Sequence, residues 1–211
     1  MRVIVPFDAR DPNTRLDPIL SASERRAFAS TVLADVLAAV RGAGGEPEVL
    51  ATEPTECDAP VTVDDAPLTA AVNAELAATD SPVAVVMADL ALATSEALTR
   101  LFDASGDVVL APGLGGGTNC VLSRHPDFRV DYHGASFRDH VRATRALDAS
   151  LRVVDSFRLA VDVDDPSDLR EVLLHGEGDA PAWLRAAGVT LSVEDGEPTI
   201  SRSGESTGDG G

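Results

Sequence analysis

The sequence contains no lysine, because all 17 basic residues among its 211 are arginine. This absence excludes Schiff-base catalysis by the chain and a P-loop, which ends in Gly-Lys-Ser/Thr. Cysteine is also scarce. Cys57 and Cys120 lack the Cys-x-x-Cys spacing, so neither a zinc knuckle nor a disulfide framework is expected.

Long apolar runs are missing as well. No stretch approaches the roughly 18 residues of a membrane span, and the N-terminus has the pattern of a strand rather than a signal peptide. We therefore expect an unexported, cytoplasmic protein.

Signatures of hydrolytic enzymes are absent too. No Gly-x-Ser-x-Gly elbow occurs, and Cys120 lacks an evident histidine partner. The histidines do not show the His-x-x-x-His spacing of zinc hydrolases, and of the four only His133 lies close in sequence to the candidate site described below. They are His125, His133, His140 and His175.

Acidic residues, in contrast, are abundant. The chain has 35 of them, a formal net charge of −18 and a pI near 4.4. Such a charge repels nucleic acid and anionic membranes. Acids spread along the whole chain favour adaptation to a cytoplasm of high salt, where the Debye length falls to about 3 Å at 1 M. A dedicated acidic interaction surface is the competing interpretation.

Strand and helix patterns alternate along the chain. This alternation predicts a three-layer α/β fold with an open, mostly parallel sheet in one domain, residues 1–200, and a disordered acidic tail, residues 201–211. Ser21 and Glu24 form a capping box at the start of the first long helix. The predicted strands are 1–6, 47–51, 60–63, 83–87, 108–111, 121–122, 151–154 and 159–164, and the predicted helices are 21–42, 67–78, 95–104, 137–147 and 166–174.

A glycine-rich segment, Gly113 to Asn119, directly follows the apolar run 108–111. Backbone N–H groups of glycines can approach an anion closely, and Thr118 and Asn119 add hydrogen-bonding side chains. The segment therefore predicts a phosphate or nucleotide site. A mobile turn without a ligand is the alternative.

Asp162 and Asp164 are two residues apart on a predicted strand, so both carboxylates project from one face. With Asp89, at the end of another predicted strand, they can form an oxygen-ligand site for Mg²⁺. An acidic sheet edge in an acid-rich protein is the alternative. Asp165 is the predicted N-cap of the next helix, with Pro166 at its first position.

Two further residues are candidates for anion binding. The Arg15 guanidinium, in the loop after the first strand, can clamp phosphate oxygens, although a surface role is the alternative. Ser136 lies where a helix starts, so it can hold an anion or act only as an N-cap.

Taken in order, several short motifs resemble the 2-phospho-L-lactate guanylyltransferases over roughly residues 1–174. The motifs are Val5-Pro6, Thr14-Arg15-Leu16, Ser23 to Arg26, Leu68 to Asn73, Ala88-Asp89-Leu90, Gly117-Thr118-Asn119, His133 to Phe137, His140 and Asp162 to Leu169. The resemblance implies a nucleotide-diphosphosugar transferase fold. It also implies a reaction, in coenzyme F420 biosynthesis, that joins 2-phospho-L-lactate to the GMP moiety of GTP and releases pyrophosphate.

The resemblance further implies roles for particular residues. Asp89, Asp162 and Asp164 would be catalytic metal ligands, and Arg15 would face the GTP triphosphate. The phospholactate would be held by Thr118 and Ser136, with the backbone of Gly117 and Gly134 and with Asn119 alongside.

This chain departs from the family pattern at three of the motifs. Asn13 stands where many relatives carry lysine, and Ala91 replaces a proline. The Leu-Asn-x-Ala-Leu pattern of the family is here the shifted run 71–76, Ala-Val-Asn-Ala-Glu-Leu. The lost lysine leaves open what neutralises phosphate charge, with Arg10 and Arg15 as the available cations.

Relatives suggest a homodimer. Two alternatives to the phospholactate reaction stay open at this point. Phosphoenolpyruvate, used by bacterial relatives, can be the acceptor instead, or the chain can be a non-catalytic nucleotide-binding module on the same fold.

Overall fold

The computed structural model describes residues 1–194 and 196–202. Its helices are α1 (Ala22–Gly42), α2 (Leu68–Ala77), α3 (Ser95–Phe102), α4 (Ser136–Ala146), α5 (Phe157–Ala160), α6 (Asp168–His175) and α7 (Ala180–Ala186). Its strands are β1 (Arg2–Phe7), β2 (Glu46–Ala51), β3 (Val61–Val63), β4 (Val83–Val86), β5 (Val108–Pro112), β6 (Thr118–Ser123), β7 (Leu151–Val153), β8 (Val189–Glu194) and β9 (Glu197–Arg202).

Seven strands form the central sheet, in the order β3-β2-β1-β4-β6-β5-β7. All neighbouring pairs are parallel except those of β6, which runs antiparallel to both β4 and β5. The predicted α/β class and mostly parallel sheet are confirmed. After β1 the chain moves to one side for β2 and β3 and then crosses to the other side for β4. Such a switch point opens a crevice at the carboxyl edge of a sheet.

Helices cover both faces of the sheet. Strand side chains alternate between the two cores, as the two-residue period requires. On β1, Val3 and Val5 pack in the larger core with α1, α3, α6 and α7, whereas Ile4 faces the smaller core under α2 and α4. The three-layer arrangement predicted from the sequence is therefore confirmed.

The start of α1 follows the prediction from the sequence. The Ser21 hydroxyl accepts the Glu24 N–H at 3.4 Å, and Glu24 Oε2 accepts the Ser21 N–H at 2.8 Å. This capping box satisfies backbone donors that lack partners within the helix. The helix ends at Gly42, where the glycines begin.

The predicted strand 159–164 is wrong. Residues 157–160 form α5, and residues 161–164 are extended without pairing to a strand. Their hydrogen bonds go elsewhere, because the Val163 N–H donates to the Asp89 carbonyl and the Val163 carbonyl accepts from Asn13 Nδ2. The alternation nevertheless persists, with Val161 and Val163 buried.

The predicted N-cap at Asp165 is also wrong. Helix α6 begins at Asp168, and a turn precedes it in which the Asp168 N–H donates to the Asp165 carbonyl at 2.9 Å. The Asp168 carboxylate in turn accepts the N–H groups of Asp164 and Asp165 at 3.0 and 2.7 Å. Pro166 therefore lies in the turn and not in the first turn of the helix.

The C-terminal part contains a helix and two strands that were not predicted from the sequence. Helix α7 and the β8–β9 hairpin follow α6, and Val189 at the start of β8 is buried in the larger core. Strand β9 runs through Arg202, so the predicted tail, 201–211, starts inside a strand, and its remaining residues, 203–211, lie outside the described residues. Within the described part of the chain, no helix is long and apolar enough to cross a membrane.

Candidate functional site

Three carboxylates converge at the carboxyl edge of the sheet. Asp89 follows β4, and Asp162 and Asp164 lie in the extended segment before α6. One carboxylate oxygen from each lies within 4.8 Å of the other two. A backbone hydrogen bond of 3.1 Å from the Val163 N–H to the Asp89 carbonyl holds the two segments together. The structure thus brings the three predicted acids into one cluster.

Asn119 fixes one side of this cluster. Its side-chain amide donates to Asp162 Oδ1 and to the Leu159 carbonyl, both at 3.1 Å. The Asn119 carbonyl accepts the Met87 N–H at 3.0 Å, which ties the start of β6 to the end of β4. The predicted ligand-binding residue Asn119 is buried and bonded to Asp162. Its contacts position a carboxylate.

Arg15 lies on the solvent side of the cluster. Its guanidinium pairs with Asp164 Oδ2 at 3.2 Å, and both side chains are more than half exposed. Asn13, in the left-handed conformation at φ 51°, donates its side-chain amide to the Val163 carbonyl at 2.7 Å. The loop after β1 is therefore attached to the Asp162–Asp164 segment by two contacts. Arg15, two residues after Asn13, supplies a positive charge close to the position where a lysine was expected.

The carboxylates of the cluster repel one another. Burial, followed by the nearby carboxylates of Asp162 and Asp164, raises the pKa of Asp89 to about 7. Burial and Asp162 likewise raise the pKa of Asp164, which Arg15 offsets in part. Asp89 Oδ1 is a buried oxygen without a hydrogen-bond partner among the described residues. Three hard oxygen donors, one of them unpartnered, fit a divalent cation.

The glycine-rich segment forms a tight turn beside the acids. The Gly113 N–H donates to the Gly117 carbonyl, and the Gly116 N–H donates to the Gly113 carbonyl, at 3.0 and 3.1 Å. Gly116 has φ 86°, a conformation that side chains disfavour. At Gly113, a Cβ would lie only 2.6 Å from Asn119 Oδ1. Glycine at 113 is therefore needed to leave room for the residue that holds Asp162.

A cleft of about 440 Å³ lies between this turn and the acids. Its lining includes Arg15, Gly117, Gly134, Asp162 and Asp164. Gly134 has φ 55°, which is again a glycine conformation. Five of the predicted site residues therefore face one open space.

Thr118 and Ser136 do not line this cleft, and both are buried, at 2% and 3% exposure. The Thr118 hydroxyl bonds to His140 Nδ1 at 2.8 Å, and His140 Nε2 accepts the Asp131 N–H at 2.8 Å. Since Nε2 is an acceptor, Nδ1 carries the proton and donates to Thr118. Burial lowers the pKa of His140 to about 4, so the ring is neutral.

The bond between His140 and Thr118 is a contact that the sequence analysis did not predict, although His140 belongs to the motifs named there. His133, which directly precedes Gly134 in sequence, is mostly exposed and pairs with Asp131. His140 occupies the buried face of α4, four residues after Ser136. That helical spacing was the available signal, because it places both side chains on one face.

A second cavity, of about 420 Å³, opens on the other side of the acids. It lies at the carboxyl ends of β1, β2 and β4, and its walls include Phe7, Leu50 and Met87. Asp89 lines this cavity and Asp162 lines the cleft, whereas Asp164 lines both. The acidic cluster therefore stands between two ligand-sized spaces.

The fold is that of nucleotide-diphospho-sugar transferases and nucleotidyl transferases. A solved protein from Desulfovibrio desulfuricans G20, described as a nucleotide-diphospho-sugar transferase, aligns with TM-score 0.70 at 16% identity over 88% of this chain and 94% of that one. A nucleotidyl transferase from Methanothermobacter thermautotroptrophicus aligns with TM-score 0.57 at 15% identity over 88% and 98%.

The chain belongs to the family described as "Guanylyl transferase CofC like", whose model matches residues 1–203. Relatives named 2-phospho-L-lactate guanylyltransferase are similar over nearly the whole chain. The protein of Halomicrobium mukohataei is 64% identical over 96% of this chain and its own full length, and that of Haloferax volcanii is 61% identical over 91% and 94%. The protein of Natronomonas pharaonis is 57% identical over 97% of this chain and its own full length.

Proposed function

We propose that this chain is a 2-phospho-L-lactate guanylyltransferase, acting in coenzyme F420 biosynthesis. The observation that carries the proposal is the acidic cluster between two spaces, one beside a glycine turn and one at the switch point of the sheet. Two polyanionic substrates require such an arrangement, because their phosphates must meet at one point while their other ends lie apart.

GTP is assigned to the cavity at the switch point, with its phosphates directed towards Asp89 and Asp164. Phospholactate is assigned to the cleft, where the backbone of Gly117 and Gly134 faces its phosphate and carboxylate. Thr118 and Ser136 support this floor from below, and the bond between Thr118 and His140 fixes the hydroxyl beneath the glycines.

Asp89, Asp162 and Asp164 would hold the divalent cation, which we propose is Mg²⁺. When bound, the ion supplies positive charge that offsets repulsion between the two substrates and stabilises the leaving pyrophosphate. Arg15 adds a second positive charge at the same edge, since its guanidinium lies 3.2 Å from Asp164.

The reaction needs no nucleophile from the protein. A phosphate oxygen of phospholactate, already ionised at neutral pH, attacks the α-phosphorus of GTP and forms the new P–O bond. The bond from that phosphorus to the β-phosphate oxygen breaks, and its electron pair leaves with pyrophosphate. The contribution of the chain is to position both phosphates in line and to neutralise their charge.

The proposal extends to the setting of the enzyme. A net charge of −18 spread along the chain supports a high-salt cytoplasm. The resemblance suggests a homodimer. Light scattering in molar KCl tests this, since a dimer has twice the chain mass of 21.9 kDa.

Pyrophosphate release by the purified protein tests the reaction, in molar KCl with Mg²⁺ and GTP. Phospholactate and phosphoenolpyruvate are added in parallel. Release with phospholactate alone is the expected result. Release that favours phosphoenolpyruvate assigns the bacterial-type acceptor, and no release with either acceptor from folded protein contradicts the proposed enzyme.

A further inference from the structure

We infer that Asp64 reads the guanine base of the nucleotide, by accepting hydrogen bonds from its N1–H and 2-amino groups. This inference rests on the proposed function for the placement of GTP in the switch-point cavity. It adds the residue that selects guanine, which neither the family nor the acidic cluster assigns.

The cavity has the character of a base pocket. Its volume of about 420 Å³ lies in the range of small-molecule sites, and apolar side chains such as Phe7, Leu50 and Met87 form much of its wall. The buried, unpartnered Asp89 Oδ1 lies at one side of it, where the phosphates are assigned. A planar base therefore has an apolar space next to the charged end of the site.

Two carboxylates line this cavity outside the acidic cluster: Asp8 and Asp64. Asp8 Oδ1 already accepts the Thr52 hydroxyl at 2.9 Å and the Arg10 N–H at 3.1 Å, and Asp8 is exposed. Asp64 is partly buried, and its backbone N–H donates to the Ala51 carbonyl at 3.0 Å. Of the two, Asp64 has the more firmly placed backbone.

The Asp64 side chain is also pre-positioned. Its Oδ1 accepts the Ala66 N–H at 2.9 Å, which fixes the carboxylate in a tight turn at the end of β3. No hydrogen bond to Oδ2 is present among the described residues. One oxygen of this carboxylate is already held, and both oxygens can accept further hydrogen bonds. The side chain can therefore receive two donors from a ligand with little further loss of conformational entropy.

A donor stands close to this acceptor in the chain. Helix α2 begins at Leu68, which lines the cavity, and Pro67 before it provides no side-chain cap. The first backbone N–H groups of a helix lack partners within it. Here the Leu68 N–H has no acceptor among the described residues, so it can meet guanine O6.

This arrangement discriminates between purines by opposite polarity. Guanine presents an acceptor at O6 beside donors at N1 and the 2-amino group. Adenine presents a 6-amino donor in place of O6 and an acceptor at N1. Its amino N–H would face the backbone N–H of the protein, and its N1 lone pair would face the Asp64 carboxylate. Buried groups left unpaired in this way reject a wrong ligand strongly.

Asp64→Asn tests the inference, because asparagine keeps the Oδ1 that accepts the Ala66 N–H and replaces only Oδ2. Asp65→Asn is the matched control, since Asp65 is the exposed neighbour and does not line the cavity. Affinities for GTP, ITP and ATP are measured by calorimetry in molar KCl with Mg²⁺. ITP lacks only the 2-amino group.

The wild type and D65N are expected to bind GTP about tenfold or more tightly than ITP. D64N is expected to lose about tenfold or more in GTP affinity and to bind GTP and ITP nearly alike. General damage to the fold would weaken both nucleotides equally and leave their ratio intact. The inference is wrong if the wild type binds GTP and ITP with equal affinity, or if D64N keeps the wild-type ratio of GTP affinity to ITP affinity.

The two proposals fail in different ways. If the wild type discriminates GTP from ITP through Asp64 but releases no pyrophosphate, the proposed function fails and the base contact stands. If the wild type turns over while D64N retains the GTP-to-ITP ratio of the wild type, the enzyme stands and the base contact is wrong.

Discussion

Asn119 and Asp162 are joined by a hydrogen bond of 3.1 Å from the Asn119 amide to Asp162 Oδ1, although 43 residues separate them in the chain. The same amide donates to the Leu159 carbonyl, so one buried side chain fixes both a carboxylate and the backbone that carries it. The first residues of β6 thereby set the geometry of the acidic cluster.

Gly113→Ala is expected to disturb this contact. A Cβ at Gly113 would lie 2.6 Å from Asn119 Oδ1, and overpacking of this kind costs about 1–3 kcal/mol. Thermal unfolding checks the loss of stability. Gly115→Ala is the matched control, because a Cβ there has no neighbour within 4 Å. Equal unfolding temperatures for the two variants would contradict the steric argument.

Asp162→Asn and Asp164→Asn are each expected to lower turnover more than tenfold, which corresponds to more than about 1.4 kcal/mol in the activation barrier. Each change removes one negative oxygen from the cation site. Pyrophosphate release at saturating Mg²⁺ provides the measurement. Asp155→Asn, at an exposed position away from the cluster, is the control. Near-normal turnover of the first two variants would show that these acids are not ligands.

Arg15→Gln is expected to raise the KM for GTP about tenfold with little change in stability. The small stability effect follows because the pair with Asp164 is largely exposed, and such pairs contribute little to folding. The larger kinetic effect follows from a lost charge-assisted contact to phosphate. Steady-state kinetics with Arg100→Gln as the comparison, an exposed arginine on α3, separates the two effects. An unchanged KM would return Arg15 to a surface role.

Acidification from pH 7 to pH 5 is expected to cost stability through His140. Burial depresses its pKa from 6.5 to about 4, so the unfolded chain binds the proton more readily. Stability is therefore present above pH 6.5 and is lost as the pH falls towards 4. Protonation linked to His140 is expected to lower the free energy of unfolding by about 2 kcal/mol at pH 5.

Denaturant unfolding at both pH values, for the wild type and His140→Gln, isolates that contribution from those of the carboxylates. The wild type is expected to lose more stability on acidification than the variant. Equal losses would mean that His140 is not held neutral by its surroundings.

Stability is expected to rise as KCl increases from about 0.1 M to 1 M, because the Debye length falls from about 10 Å to about 3 Å. Screening weakens the self-repulsion of a chain with net charge −18. Unfolding temperatures across this series check the effect, with arabinose at matched osmolarity as the uncharged control. A flat response to salt would favour a localised acidic surface over adaptation of the whole chain.

The sequence alone predicted the α/β class, most elements of the sheet and the three acids of the cluster. Hydrophobic periodicity and capping residues act locally, so α1 and β4 were recognisable. The short motif from Gly117 to Asn119 lies beside the acidic cluster, where Gly117 lines the cleft and Asn119 bonds to Asp162.

The parts that were missed depend on contacts between distant segments. The alternation at 161–164 is typical of a strand, but both backbone groups of Val163 are bonded elsewhere, to the Asn13 amide and to the Asp89 carbonyl. The Leu159 carbonyl, just before this segment, accepts from Asn119. No local pattern announces those partners. The same holds for His140, whose role depends on Thr118, 22 residues earlier.

The reversed direction of β6 has a consequence for the order of folding. Strands β5 and β6 form a hairpin from adjacent parts of the chain, so we expect the contacts that position the glycine turn and Asn119 to form early in folding. Asp89 joins them only when β6 pairs with β4, and Asp162 only when the later segment docks. We therefore expect the three carboxylates, which repel one another, to meet only after the hairpin has formed and can help to hold them together.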